Sequence, residues 1–168
     1  MLHFFWATGV RRAELINLQL AGLDLGKRRA TVVGKGNIPR GVFFDEACRD
    51  DLERWLLQRG TWETHCDNVF VAVSGTPFNP RSVLDIVHQA AQRAGLRKEL
   101  WTHVFRHSRI TELLNRGMKL QEVANFAGHS NVNTTMHYFH AEEEQLQKSY
   151  DEATRPRRRR SRPEKAEE

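Results

Sequence analysis

The chain has 168 residues, with 26 Lys+Arg against 21 Asp+Glu and a formal net charge of +5. At 39% hydrophobic and 28% charged it can build a core, which argues against wholesale disorder. No apolar run approaches the roughly 20 residues that span a bilayer, and two cysteines, Cys48 and Cys66, without a secretory leader read as reduced cytosolic thiols rather than a disulfide frame.

In chain order, Ala13, Leu15, Ile16, Leu18 and Leu20 carry helical spacing and predict an early helix. Thr31–Val33 and Val42–Phe44 are β-prone runs around Gly34-Lys35-Gly36-Asn37, whose glycines permit a hairpin turn. Asp45 is placed to cap a helix carrying Leu52, Trp55, Leu56 and Leu57 and stopping at Gly60. Val69-Phe70-Val71 reads as one more strand. Asn79-Pro80 opens a helix with Val83, Ile86, Val87, Ala90, Ala91 and Ala94 on one side, ending before Gly95. Further helices run from Phe105 to Gly117 and through Leu120, Val123, Ala124 and Phe126 to Gly128, and short ones are expected at Thr134–Tyr138 and Glu142–Tyr150. The expected class is therefore α+β, mainly helical with a small antiparallel sheet. Trp6, Trp55, Trp62 and Trp101 are assigned to the core by default, Trp62 being the one with a case for exposure.

The charge is unevenly placed. Residues 1–140, 141–153 and 154–168 carry +5, −4 and +4. The last block, Arg155 to Pro163, has nothing to bury and reads as a basic disordered tail, so the expected division is a domain over 1–153 and a tail over 154–168. The ordinary reading is a solvated tail that touches phosphates non-specifically at low salt, and the alternative is a dedicated role in binding DNA or a partner.

Five segments hold reactive side chains: Thr8-Gly9-Val10-Arg11-Arg12-Ala13-Glu14-Leu15, the glycine-flanked Lys35, His103-Val104-Phe105-Arg106-His107, Gly128-His129-Ser130, and Tyr138 nine residues further on. His103 and Arg106, three apart, share a helical face. Phosphoryl transfer needs such a set. Guanidinium forks match phosphate oxygens and keep their charge, lysine or histidine delivers a proton, and tyrosine can carry the phosphorus covalently. Each residue also has an ordinary reading: Arg11 beside its decoy Arg12 as a surface pair, Lys35 as a turn lysine, and Tyr138 as a packing residue with Tyr150 as its rival. His103 and His107, four apart, could form a metal pair, but Arg106 between them would repel a cation and no third ligand is indicated, so no metal or cofactor is assigned.

These segments, in this order, resemble the catalytic domain of the tyrosine recombinase, or phage integrase, family, with the likeness running from Thr8 to about His140. The resemblance implies that Tyr138 is the nucleophile forming a 3′-phosphotyrosyl link, that Arg11 and Arg106 clamp the scissile phosphate, that Lys35 is the general acid, and that His103 and His129 hydrogen-bond the phosphate and assist proton transfer. It implies double-stranded DNA as partner, a homo-tetramer on two DNA sites, an accessory DNA-bending protein, and a cytoplasmic, nucleoid-associated location with no membrane. Glu14 and Ser130 are expected to support structure rather than react. The hairpin departs from the family pattern at Ile38-Pro39, where a further basic residue is common. The seven residues before Thr8 leave no room for the family's usual N-terminal helical domain, so the sequence reads as the catalytic half of something longer. The alternative reading is a catalytically incomplete DNA-binding or regulatory remnant.

Overall fold

A computed structural model describes residues 1–96 and 100–128, with the backbone alone for Lys35. It contains, in order, helices α1 (Leu2–Thr8) and α2 (Arg12–Ile16), strands β1 (Leu23–Asp24), β2 (Arg29–Val33) and β3 (Pro39–Phe43), and helices α3 (Glu46–Arg59), α4 (Pro80–Arg93), α5 (His103–Asn115) and α6 (Leu120–Ala127). The class is the expected one, mainly α with one small antiparallel sheet of order β1-β2-β3.

The sheet follows period-two logic. Ala30, Val32 and Val42 are fully buried while Arg29, Thr31, Val33 and Phe43 face outward. Thr31 lies opposite Gly41 and Val32 opposite Arg40, and directly opposed residues share a face. Arg40 therefore stands on the same face as Val42, an arginine on the apolar side of a strand. The hairpin closes through Gly34 N–H to Ile38 O (3.0 Å), with Gly36 and Asn37 both in the left-handed region at φ 77° and 60°.

One core gathers Phe4, Phe5, Leu15, Val32, Val42, Leu52 and Val83 from α1, α2, the sheet, α3 and α4, with Leu18 and Phe70 from the connecting segments. A smaller one, Ile110, Val123 and Ala127, locks α6 onto α5. The link between α1 and α5 is a stacked pair, Phe5 on Phe105, with ring centroids 5.1 Å apart. Asp45 accepts a bond from Cys48 N–H (2.9 Å) and Asn79 from Ser82 N–H (2.8 Å), so both predicted caps exist.

Four expectations need correction. The early helix stops at Ile16, because Leu18 O accepts Val69 N–H (2.8 Å) and Leu20 N–H donates to Asp67 O (2.8 Å), which pulls the chain out of helical geometry. Val69–Val71 is not a strand. It is a buried extended stretch with isolated bridges at Asn68 and Val71, held by side chains instead of a ladder: Trp55 donates to Val69 O (2.7 Å), and Arg59 to Asn68 O (3.0 Å) and Cys66 O (2.7 Å). Leu57 is 75% exposed, on the solvent side of α3. Trp101 is 51% exposed, edge-on to His88, whereas Trp62 is half-buried against Trp55. The segments Thr134–Tyr138 and Glu142–Tyr150 and the tail lie outside the described residues.

Candidate active site

Two helix ends and the start of a third helix meet at one place. α1 ends at Gly9 (φ 57°), whose N–H bonds to Phe5 O (3.1 Å), and the chain restarts at Arg11 in extended geometry to begin α2. α6 ends at Gly128 (φ 66°). Both turns use conformations that favour glycine. Between them lies the first turn of α5, which carries Arg106.

Arg106, buried, donates Nη1–H to Gly9 O (2.8 Å) and Nη2–H to Ala127 O, so its fork joins the end of α1 to the end of α6. Arg11 donates Nη2–H to Gly128 O (3.2 Å) and Nη1–H to Glu14 Oε1 (3.0 Å). Two arginines far apart in sequence thus converge on adjacent carbonyls, Ala127 and Gly128, of one turn. The decoy Arg12 is exposed and points elsewhere, toward Pro80 O (3.5 Å).

Below them sits Glu14, 2% exposed. Its Oε2 accepts Arg11 backbone N–H (2.7 Å) and Arg40 Nη2–H (2.8 Å), while Oε1 takes Arg11 Nη1–H and Arg40 Nε–H (3.4 Å). Burial works to raise the Glu14 carboxyl, but the bonds from Arg40 and from the Arg11 backbone, with both guanidinium charges, outweigh it and hold the group below its ordinary range. Glu14 is thus an ionised anchor, consistent with a supporting role. Gly34 packs on it, since a Cβ there would stand 3.3 Å from Glu14 Oε1. The hairpin whose tip is Lys35 therefore rests directly on the carboxylate that holds Arg11.

His103 opens α5 and is exposed, one turn before Arg106. Lys35 lies at the hairpin tip by its backbone. His129 and Tyr138 lie outside the described residues, His129 following Gly128 directly in the chain. Among the described residues no group of three or more His, Cys, Asp or Glu could hold a metal ion. No helix among them is long and apolar enough to cross a membrane. Sequence reasoning passed over Arg40. Its signal was the alternation Arg40, Val42, Phe44, which sets a charge on a buried face and demands a buried anion.

In this α+β domain the guanidinium groups of Arg11, Arg40 and Arg106 meet where two helix ends and a hairpin come together. The chain belongs to the phage integrase family, whose profile matches residues 1–145. Tyrosine recombinase XerC of Staphylococcus haemolyticus (strain JCSC1435) is 35% identical over 151 residues, covering 89% of this chain and 51% of that protein. XerC of Bifidobacterium longum (strain DJO10A) is 35% identical over 163 residues, covering 91% and 46%. Among solved structures, XerA recombinase superposes with a TM-score of 0.80 at 30% identity, covering 93% of this chain and 57% of that one. XerH site-specific recombinase, bound to its palindromic difH substrate after cleavage, gives 0.78 at 25% identity, covering 89% and 44%. The chain spans about half the length of the curated relatives it matches.

Proposed function

We propose that this chain is the strand-transfer portion of a site-specific DNA recombinase. The observation that carries the reading is the convergence of Arg11 and Arg106 on the Ala127–Gly128 turn, beside the hairpin of Lys35. The names of its relatives, recombinases whose solved structures include one bound to a DNA substrate, support it.

In this mechanism the Tyr138 hydroxyl attacks the scissile phosphorus. The Tyr–O–P bond forms as the P–O5′ bond breaks; the phenolic proton passes to His103 or His129 acting as base, and Lys35 gives its proton to the departing 5′-oxygen. Arg11 and Arg106 match the charge on the non-bridging oxygens, and His103 and His129 hydrogen-bond them. The phosphotyrosyl bond conserves the energy of the phosphodiester, so attack by a 5′-hydroxyl from a second strand rejoins DNA without ATP. Preorganised cations do the charge matching that metal ions perform elsewhere, so the chemistry is assigned no cofactor. Exchange between two duplexes calls for four copies on two sites, and an accessory DNA-bending protein would bring those sites together.

The test is a duplex carrying the protein's own selected binding site, nicked so that the 5′-hydroxyl fragment diffuses away after cleavage. The wild-type chain should accumulate a covalent protein–DNA adduct that survives denaturation, and Tyr138→Phe should accumulate none. Duplex binding without an adduct, unchanged by Tyr138→Phe, would mark a DNA-binding remnant instead.

A further inference from the structure

Arg40 has no part in the chemistry above, yet its guanidinium is held on every nitrogen. Strand alternation turns it inward opposite Val32, and its side chain is only 13% exposed. A guanidinium in that position is costly unless its donors are met. Here Nε and Nη2 face the two oxygens of Glu14 (3.4 and 2.8 Å), and Nη1 donates to Phe126 O (2.6 Å). Each nitrogen of the fork has an acceptor.

We propose that Arg40 is a positioning residue for strand transfer, aiming Arg11 through Glu14 and seating the Gly128 turn through Phe126; this rests on the reading given under Proposed function. The first link is the shared carboxylate. Each Glu14 oxygen accepts one donor from Arg40 and one from Arg11, so the fork of Arg40 fixes the plane of the carboxylate and that plane fixes Arg11. The second link is the turn. A Cβ on Gly128 would lie 2.5 Å from Arg40 Cδ, which places the stem of Arg40 directly against that residue. Arg11 is held by Gly128 O and Arg106 by Ala127 O, one residue earlier. Arg40 thus supports both phosphate-gripping arginines and the residue from which the chain continues to His129.

A merely structural ion cluster would affect stability and leave Arg11 correctly aimed in whatever folded protein remains. Positioning predicts the opposite, a folded protein with a misaimed Arg11. Arg40→Lys separates the two, because lysine keeps the charge and loses the planar fork. Arg40→Gln is the second variant should the lysine protein fail to fold. In the full chain without DNA, the guanidinium Nε–Hε resonance of Arg11, assigned by its loss in Arg11→Lys, should shift and broaden in the folded Arg40 variant. On the nicked duplex, the rate of adduct formation at saturating DNA should fall about ten- to hundredfold, as expected for ångström-scale misplacement, with half-saturating DNA unchanged. The defect should shrink on a duplex whose scissile phosphate is a neutral methylphosphonate, where there is less charge for Arg11 to meet. An unmoved Arg11 resonance, an equal defect on both duplexes, or failure of both variants to fold each overturns the proposal. Absence of adduct from the wild type would instead defeat the strand-transfer reading, and the Arg11 resonance would still decide whether Arg40 aims that side chain.

Discussion

Glu14 carries two arginines on one carboxylate, and its environment makes that pairing pH-dependent. Its folded carboxyl lies below the ordinary value of 4.5, so the stability it contributes is present above pH 4.5 and is lost as pH falls through the lower folded value. Glu14→Ala would leave Arg40 buried without its anion and should cost about 3–5 kcal/mol. Urea unfolding at neutral pH measures this, and the same titration at pH values falling below 4.5 should show the difference from wild type narrowing. Cysteine reactivity gives a second test. Burial, reinforced by Asp45, pushes the Cys48 thiol up to about 12, whereas Cys66 is partly exposed. Native protein treated with iodoacetamide should gain one label, on Cys66, and denatured protein two; a labelled Cys48 in the native state would contradict this core. At this scale Arg11, Arg106 and the supporting Glu14 were legible because each sits in a motif with a chemical rationale. Arg40 was not, because its meaning depends on which face of β3 turns inward and on a carboxylate 26 positions away.

Among the elements, the helices with explicit punctuation were the readable ones. α3 has Asp45 before it and Gly60 after it, and α4 has Asn79-Pro80, so local chemistry alone sets their ends. Asn79→Ala should cost about 1 kcal/mol, seen as a lower urea midpoint with unchanged slope. The unreadable elements are those fixed by tertiary contacts. α1 is seven residues with no room for periodicity, too short to persist by itself. It exists because Phe4 and Phe5 are buried and Phe5 stacks on Phe105. Likewise the extended run at Val69–Val71 is held by Trp55 and Arg59, partners that no local pattern announces. Since α1 delivers Gly9 O to Arg106, Phe5→Ala should cost about 3–5 kcal/mol and slow adduct formation beyond what its lost stability explains. Comparing adduct rates well below the unfolding temperature isolates the second effect.

For the whole molecule, the net charge of +5 matters less than where the fold fixes a few cations. Residues 154–168 carry +4, so a chain ending at residue 153 should bind duplex with a shallower salt dependence and cleave it at the same rate when saturated. Arg11, Arg40 and Arg106 are fixed where α1, β3, α5 and α6 meet, and two cores hold those elements in register. We propose that this arrangement serves a tyrosine-linked strand exchange. Its most direct test is to trap the adduct on nicked duplex, digest protein and DNA, and locate the nucleotide remnant by peptide mass. Strand transfer through Tyr138 predicts a 3′-phosphotyrosyl mass on the peptide containing that residue. A remnant on the peptide containing Tyr150, or no remnant from protein that demonstrably binds the duplex, would contradict it.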